Sequence, residues 1–269
     1  MSQVAPLDPS IGHILKGWRA KRSLSQLALS LEAGISARHI SFVETGRSRP
    51  SRELVVQLSD ALGIPYRERN MLFLAAGFAP MYTETNFDAD ELKSHRRIIE
   101  MILKRYEPFG AVAIDRGWNI LLSNSGFQTT LDLLGLPERH PEICGNVLKL
   151  LFSPNGLRPH IVNWHDVGHN LFQRAQREAI EGGQATKQLL ADITKTCDIP
   201  SPWHLVDMSK PLELMVPLHM RINGMDLRFF TTITTLGTPQ DITLQELRIE
   251  AFLPADEETE TLIEELSSV

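Results

Sequence analysis

Between Gly34 and Arg52 the chain reads GISARHISFVETGRSRPSR, placing Arg38, His39, Arg47, Arg49 and Arg52 on one short helical run and the turn behind it. A guanidinium is a planar fork of N–H donors, suited to paired bonds with phosphate oxygens or with the O6/N7 edge of guanine. This is binding chemistry aimed at a polyanion, in a chain whose net charge is −6. Catalytic patterns are missing: the sequence contains no GxSxG, HExxH, CxxC or phosphate-binding loop, and no enzyme is expected. His165 and His169 stand four apart and share a helical face, but no Glu or third ligand accompanies them. They read as a surface or pocket-rim pair. Asp115, Asp132 and Asp166 are scattered without paired partners. Cys144 and Cys197 are isolated, so no disulfide framework and no metal site is expected, and the expected location is cytoplasmic.

The elements that must hold the basic run are short helices with clear stops. Ile11, Ile14, Leu15 and Trp18 recur at helical spacing, with Arg19, Lys21 and Arg22 at the end that favours cations. Ser25 offers an N-cap to a second helix carrying Leu27, Ala28 and Leu31, which Gly34 closes. Ser36 caps a third helix, from about Ala37 to Thr45, that buries Ile40 and Val43 and ends at Gly46. Pro50 and Ser51 open a fourth, Gly63 stops it, and Pro65 begins a fifth reaching Ala76.

Two short helices joined by a turn containing a glycine fit a helix-turn-helix, whose second helix enters the major groove and reads bases with its first turn. Ser36, Ala37, Arg38 and His39 form that turn, and Ser41 lies beyond the buried Ile40. Gln26 is placed to bond a phosphate or the adjacent base. Arg47, Ser48, Arg49 and Arg52 read as phosphate contacts, beside a fourth helix whose free N–H groups suit an anion. The plainer alternative, a solvated basic face on a helical bundle, accounts for the arginines but not for their setting between caps and glycine stops. The stretch SQLALSLEAGISARHISFVETGRSRPSRELVVQLSDALGI resembles the lambda-repressor/Cro (Xre) helix-turn-helix family over about residues 11–76. The resemblance implies structural roles for Glu44 and Gly46, and Phe42 departs from it, standing where many members carry a polar residue.

Charge divides the chain. Residues 1–79 hold ten Lys/Arg against six Asp/Glu, a net +4, and the remainder carries −10. A basic module followed by an acidic one is the expected organisation: a DNA-binding domain over 1–79, a linker and connecting helix over 80–107, and a second domain over 108–269. No apolar run approaches the roughly 20 residues needed to span a bilayer, so no membrane partner is expected.

In the second part, ELKSHRRIIEMILKRYE (residues 91–107) reads as an amphipathic helix with Ile98, Ile99, Ile102 and Leu103 on its apolar side. Ala111–Ile114 and Asn119–Leu122 flank Asp115-Arg116-Gly117, a hairpin signal. Helical segments follow, with Pro200 and Pro202 as an interruption before Trp203. LELMVPLHMRI and MDLRFFTTITTLG surround Asn223-Gly224, a second hairpin, LQELRIEAFLP reads as a further strand, and DEETETLIEELSS as a last helix. The fold class is therefore α+β: a five-helix bundle, then an antiparallel sheet with inserted helices in PAS-like order.

EPFGAVAIDRGWNILLSN, NVLKLLFSPNGLRP and TPQDITLQELRIEAFLPADEET are similar to the MmyB-like ligand-binding domain of bacterial regulators, over residues 108–254. That resemblance implies an apolar effector, a fatty acid or other acyl-chain molecule, and no required cofactor. Candidate lining residues are Leu148, Phe152, Trp164, Leu171 and Phe172 on the covering helices and Met215, Leu218 and Phe229 on the strands, with Val147, Leu151 and Met220 beside them. Arg158, His165 and Arg174 are candidates to meet a carboxylate at the mouth. Expected partners are double-stranded operator DNA, a small apolar ligand and a second copy, since one such module makes few contacts for operator affinity. The competing expectation is an antitoxin-like or scaffold protein whose acidic domain holds a protein partner.

Overall fold

The computed structural model describes residues 10–180, 184–200, 203 and 215–267. Its first helices are α1 (Ile11–Lys21), α2 (Gln26–Ala33), α3 (Ala37–Glu44), α4 (Arg52–Ala61) and α5 (Tyr66–Ala75). Then follow α6 (Lys93–Lys104), α7 (Ser125–Leu133), α8 (Leu136–Arg139), α9 (Pro141–Cys144) and α10 (Val147–Phe152). The last are α11 (Trp164–Ile180), α12 (Gln184–Thr196), α13 (Ile242–Glu246) and α14 (Glu257–Ser267). Strands are β1 (Ala111–Ile114), β2 (Ile120–Ser123), β3 (Leu218–Ile222), β4 (Met225–Thr235) and β5 (Arg248–Pro254). The chain forms two compact units, one built from the chain up to Thr85 together with Thr238–Gln245, the other from Asn86–Gly237 and from Glu246 onward.

The first unit is a helical bundle whose punctuation is local. Ser10, Ser25, Ser36 and Ser51 each accept a hydrogen bond from the backbone N–H three residues on, a cap contributing about 1 kcal/mol. Gly34 and Gly46 reverse the chain at φ 64° and 72°, where a Cβ would be strained. The core takes Leu15, Trp18, Leu29, Ile40, Val43, Val55, Leu58, Leu72 and Phe73. In α2 the buried face is Leu29, Ser30 and Ala33, while Leu27 and Leu31 stand 64% and 78% exposed. At Gly12 the backbones of α1 and α3 approach so closely that a Cβ would lie 2.3 Å from the Glu44 carbonyl oxygen.

The chain beyond α5, where a linker begins in the sequence reading, lies along this unit as far as Thr85. Asn70 Oδ1 accepts from the N–H groups of Met81 and Tyr82, at 2.9 and 3.0 Å, and the Tyr66 and Tyr82 rings stack at 3.9 Å. The segment Thr238–Gln245 completes the unit. Asp241 Oδ2 accepts from Thr83 Oγ1, Thr85 N and Thr85 Oγ1 at 2.8–3.0 Å. Ile242 and Leu244 are buried. Gln245 Oε1 accepts from Tyr66 N at 2.8 Å, supplying the N-terminal cap of α5 that Pro65 has no side-chain oxygen to provide.

The second unit is a five-stranded antiparallel sheet in the order β2-β1-β5-β4-β3. Two strands, several helices and three strands follow one another as the PAS-like order requires. The β3–β4 turn is tight because Asn223 and Gly224 both take positive φ, 50° and 85°. Strand alternation divides β1 between two cores. Val112 and Ile114 join Phe127, Phe152, Phe172 and Trp203 on the side of α7, α10 and α11, while Ala111 and Ala113 join Ile99, Leu103 and Ile249 under α6.

Two expectations change here. Ile98 does not join the buried side of α6 but is 46% exposed; Ile99 and Leu103 are the residues that meet the sheet, and Ile102 is half-buried. A four-residue step carries both onto one side, and Ile98 falls about 100° away from Ile99. In LQELRIEAFLP only the second half is strand. LQE belongs to α13, with Asp241 Oδ1 accepting from Thr243 N at 2.8 Å as an N-terminal cap. The part of the second hairpin before Met215, and Pro202, lie outside the described residues.

Candidate nucleic-acid interface and apolar cleft

On α3 the outward positions are those of the sequence reading. Arg38 is exposed, and Ala37, His39 and Ser41 are half-exposed around the buried Ile40 and Val43. Ser36 Oγ accepts from His39 N at 3.2 Å, so its oxygen caps the helix while its hydroxyl proton remains available to an acceptor. Arg47 and Arg49 are exposed and Ser48 is half-buried. Among the described residues Arg38, Arg47 and Arg49 have no carboxylate partner, so their donors are not spent within the protein. Arg52 lies with its guanidinium 5.1 Å from the centroid of the buried Phe73 ring.

The base of this surface is one polar knot. Glu44 accepts from Arg19 Nε at 2.7 Å and Arg19 Nη2 at 2.9 Å, and from Gln26 Nε2 at 2.7 Å. Arg19 Nη1 also donates to the Leu24 carbonyl at 2.9 Å, so α1, the start of α2 and the end of α3 share one network. Burial alone would raise the Glu44 carboxyl; the bonds from Arg19 and Gln26 outweigh it and hold it below the usual carboxylate range. Gln26 is therefore oriented by Glu44 and keeps its carbonyl oxygen and one N–H for another partner. The anion position at α4 is narrower than the sequence suggests. Ser51 Oγ accepts from Leu54 N, and the Glu53 carboxylate is held low by its own backbone N–H and by Ser51.

In the second unit apolar side chains line a cleft open to solvent, about 580 Å³ when the solvent space at its mouth is included. Its walls are Phe127 and Thr130 of α7, Val147, Leu150 and Leu151 of α10, Leu157, the strand residues Leu218, Met220, Phe229 and Phe252, and Ile263 of α14. Pro108, Gly110 and Gly126 complete it. Among the described residues no charged side chain reaches the lining, and the Thr130 hydroxyl is bonded to the Gly126 carbonyl.

Of the residues expected to line a pocket, Leu218 and Phe229 do, together with Val147, Leu151 and Met220. Leu148, Phe152 and Phe172 are buried in the core instead. Phe152 packs edge-on against Trp164, Phe172 and Trp203 with ring centroids 5.2–6.3 Å apart, because the apolar face of α11 turns toward Trp203. Leu171 and Trp164 are half-buried against that core, and Met215 is 56% exposed.

None of the three expected mouth groups lines the cleft. Arg158 donates to the Cys197 carbonyl and lies over Trp164. His165 is exposed near Asp166 and the Trp203 ring. Arg174 pairs with Glu178 and Glu250 and, with Arg248, flanks the fully buried Trp118 at 4.6 and 4.3 Å. Both arginines are engaged elsewhere. Among the described residues no cluster of three His, Cys, Asp or Glu could hold a metal, and no helix is long and apolar enough to cross a membrane.

Sequence reasoning did not single out the Arg19–Glu44–Gln26 knot or the wall formed by Phe127, Phe252 and Ile263. Three of the knot's signals, an Arg at the end of α1, a Gln at N1 of α2 and a Glu at the end of α3, are visible in the sequence. Their convergence is not.

A capped helical bundle with Arg38 and His39 on the outward side of α3, followed by an antiparallel sheet lining an apolar cleft, defines a helix-turn-helix transcription regulator with a ligand-binding domain. Residues 15–69 match the helix-turn-helix family, and residues 95–266 match the family described as MmyB-like transcription regulator ligand binding domain. The second match spans well over half of the chain, and the protein belongs to that family. No curated protein matches it. A solved RNA-binding Light-Oxygen-Voltage receptor is similar at 12% identity, over 100% of this chain and 69% of that one, with a TM-score of 0.28.

Proposed function

We propose that this regulator binds operator DNA through α3 as a homodimer in the cytoplasm, and that its effector is a molecule with a fatty-acyl chain lying in the apolar cleft. The observation that supports the effector class is the lining: apolar side chains from α7, α10, α14 and three strands, without a charged group. Such a wall favours hydrocarbon, at roughly 25 cal/mol per Å² removed from water. The carboxylate of a fatty acid then stays in solvent at the opening, since the nearby arginines are engaged elsewhere. The bound chain changes DNA affinity only to the extent that the two DNA-binding states hold it with different free energy.

The test has two arms. Organic extraction of the purified protein followed by mass spectrometry should release a C14–C18 acid at near-stoichiometric yield. A salt-titrated gel shift with and without added palmitate should then show two DNA affinities. Extraction of no lipid together with a stoichiometric co-purifying protein would replace the effector reading by the scaffold one. Within the DNA arm, Arg38→Ala should lose sequence discrimination by about 1–3 kcal/mol, whereas Arg49→Ala should weaken all duplexes alike and lower the salt slope by about one. A dimer is checked by sedimentation of the DNA-bound complex.

A further inference from the structure

Helix α3 carries an aromatic side chain that its own core does not use. Ile40 and Val43 enter the hydrophobic cluster of the first unit, but Phe42 is outside it and only half-buried. Its ring lies instead against Arg38, one turn earlier, with the guanidinium carbon 5.2 Å from the ring centroid. The Phe42 carbonyl accepts the N–H groups of Arg47 and Ser48 at 2.8 and 3.1 Å, so the same residue fixes the start of the basic turn. The Arg52–Phe73 contact differs, because Phe73 is a fully buried core residue that its arginine merely covers.

Stacking on a ring restrains a guanidinium without consuming its donors. The N–H groups lie in the guanidinium plane and point away from its edges, so an arginine held over an aromatic face keeps its bidentate fork. Arg38 has no carboxylate to hold it among the described residues, which leaves the Phe42 ring as its restraint. A half-exposed ring beside that fork also presents apolar surface. In the major groove the one apolar feature of a base edge is the 5-methyl group of thymine.

We propose that Arg38 and Phe42 act as one composite reader of a guanine next to a thymine, Arg38 bonding the guanine edge and Phe42 both positioning that fork and packing on the thymine methyl. This deepens the assignment of α3 as the reading helix and rests on it.

The experiment selects duplexes from a random pool with the full chain, then replaces each thymine of the selected duplex by deoxyuridine, which removes only the methyl. The wild type should enrich a guanine–thymine step, and deoxyuridine at that thymine should weaken binding about fourfold, the size of one buried methyl. Phe42→Ala should relax both positions and become insensitive to deoxyuridine. Phe42→Leu, which keeps apolar bulk but offers no aromatic face, should stay methyl-sensitive and relax at the guanine. The proposal is overturned if no thymine in the selected duplex is sensitive to deoxyuridine in the wild type, or if Phe42→Ala enriches the same sequence with unchanged discrimination. A wild type that enriches no sequence overturns the reading-helix assignment as well. The deoxyuridine arm uses the wild-type protein alone, so it decides even if a variant fails to fold.

Discussion

Glu44 shows how one side chain governs a binding surface without facing the ligand. It joins three helices through Arg19 and Gln26, and its side chain is almost wholly buried. Glu44→Gln should cost about 3 kcal/mol, because it leaves the Arg19 guanidinium without its counter-charge, and chemical denaturation of the full chain would measure the loss. The pH dependence follows from the same contacts. The folded carboxyls of Glu44 and Asp241 are held below their ordinary values. Each therefore adds stability above the unfolded value of about 4, and that stability is lost as pH falls through the folded one. The first unit's melting temperature should drop between pH 5 and pH 3, more steeply in the wild type than in Glu44→Gln or Asp241→Asn. A flat profile in the wild type would contradict the assigned bonds.

At the scale of elements, what could be read from the sequence was what is decided within a few residues. The serine caps, the glycine stops and the Asn223-Gly224 turn are local devices; the helices they bound lie where the patterning placed them, and β3 and β4 lie within the segments it marked on either side of the turn. The reading helix is legible for the same reason, since Ile40 and Val43 fix which face of α3 is left outward. The choice among apolar residues between core and cleft was not legible. Phe152 and Phe229 look alike in sequence; Trp203 draws the first inward, and the β3–β4 pairing turns the second to the cleft. Helix α6 makes the point testable. Leu103→Ala, at a fully buried position against the sheet, should destabilise the second unit by about 2–5 kcal/mol, whereas Ile98→Ala on the same helix should change it by less than about 0.5 kcal/mol. Calorimetry of the two variants distinguishes them.

Across the whole molecule, charge and chain path tell different stories. The basic surface belongs to a stretch of about eighty residues, as the +4 against −10 division suggests. The unit that carries it also takes in Thr238–Gln245, a connection no local pattern announces because its partners lie more than 150 residues away. A fragment of residues 1–85 lacks Ile242, Leu244 and the Gln245 cap. It should melt on the order of 10 °C below the same unit in the full chain, and a peptide of residues 236–247 added in trans should raise it again. Equal melting temperatures would mean that the segment contributes nothing to the unit.

The position of Asp241 in the chain has a consequence for synthesis. A ribosome adds about 5–20 residues per second, so the helices through α5 leave the exit tunnel well before the segment that finishes their unit has been translated. The DNA-binding unit reaches its final form only after most of the ligand-binding domain exists. A nascent regulator without its sensor lacks the Asp241 and Gln245 contacts, and its stability should be that of the fragment.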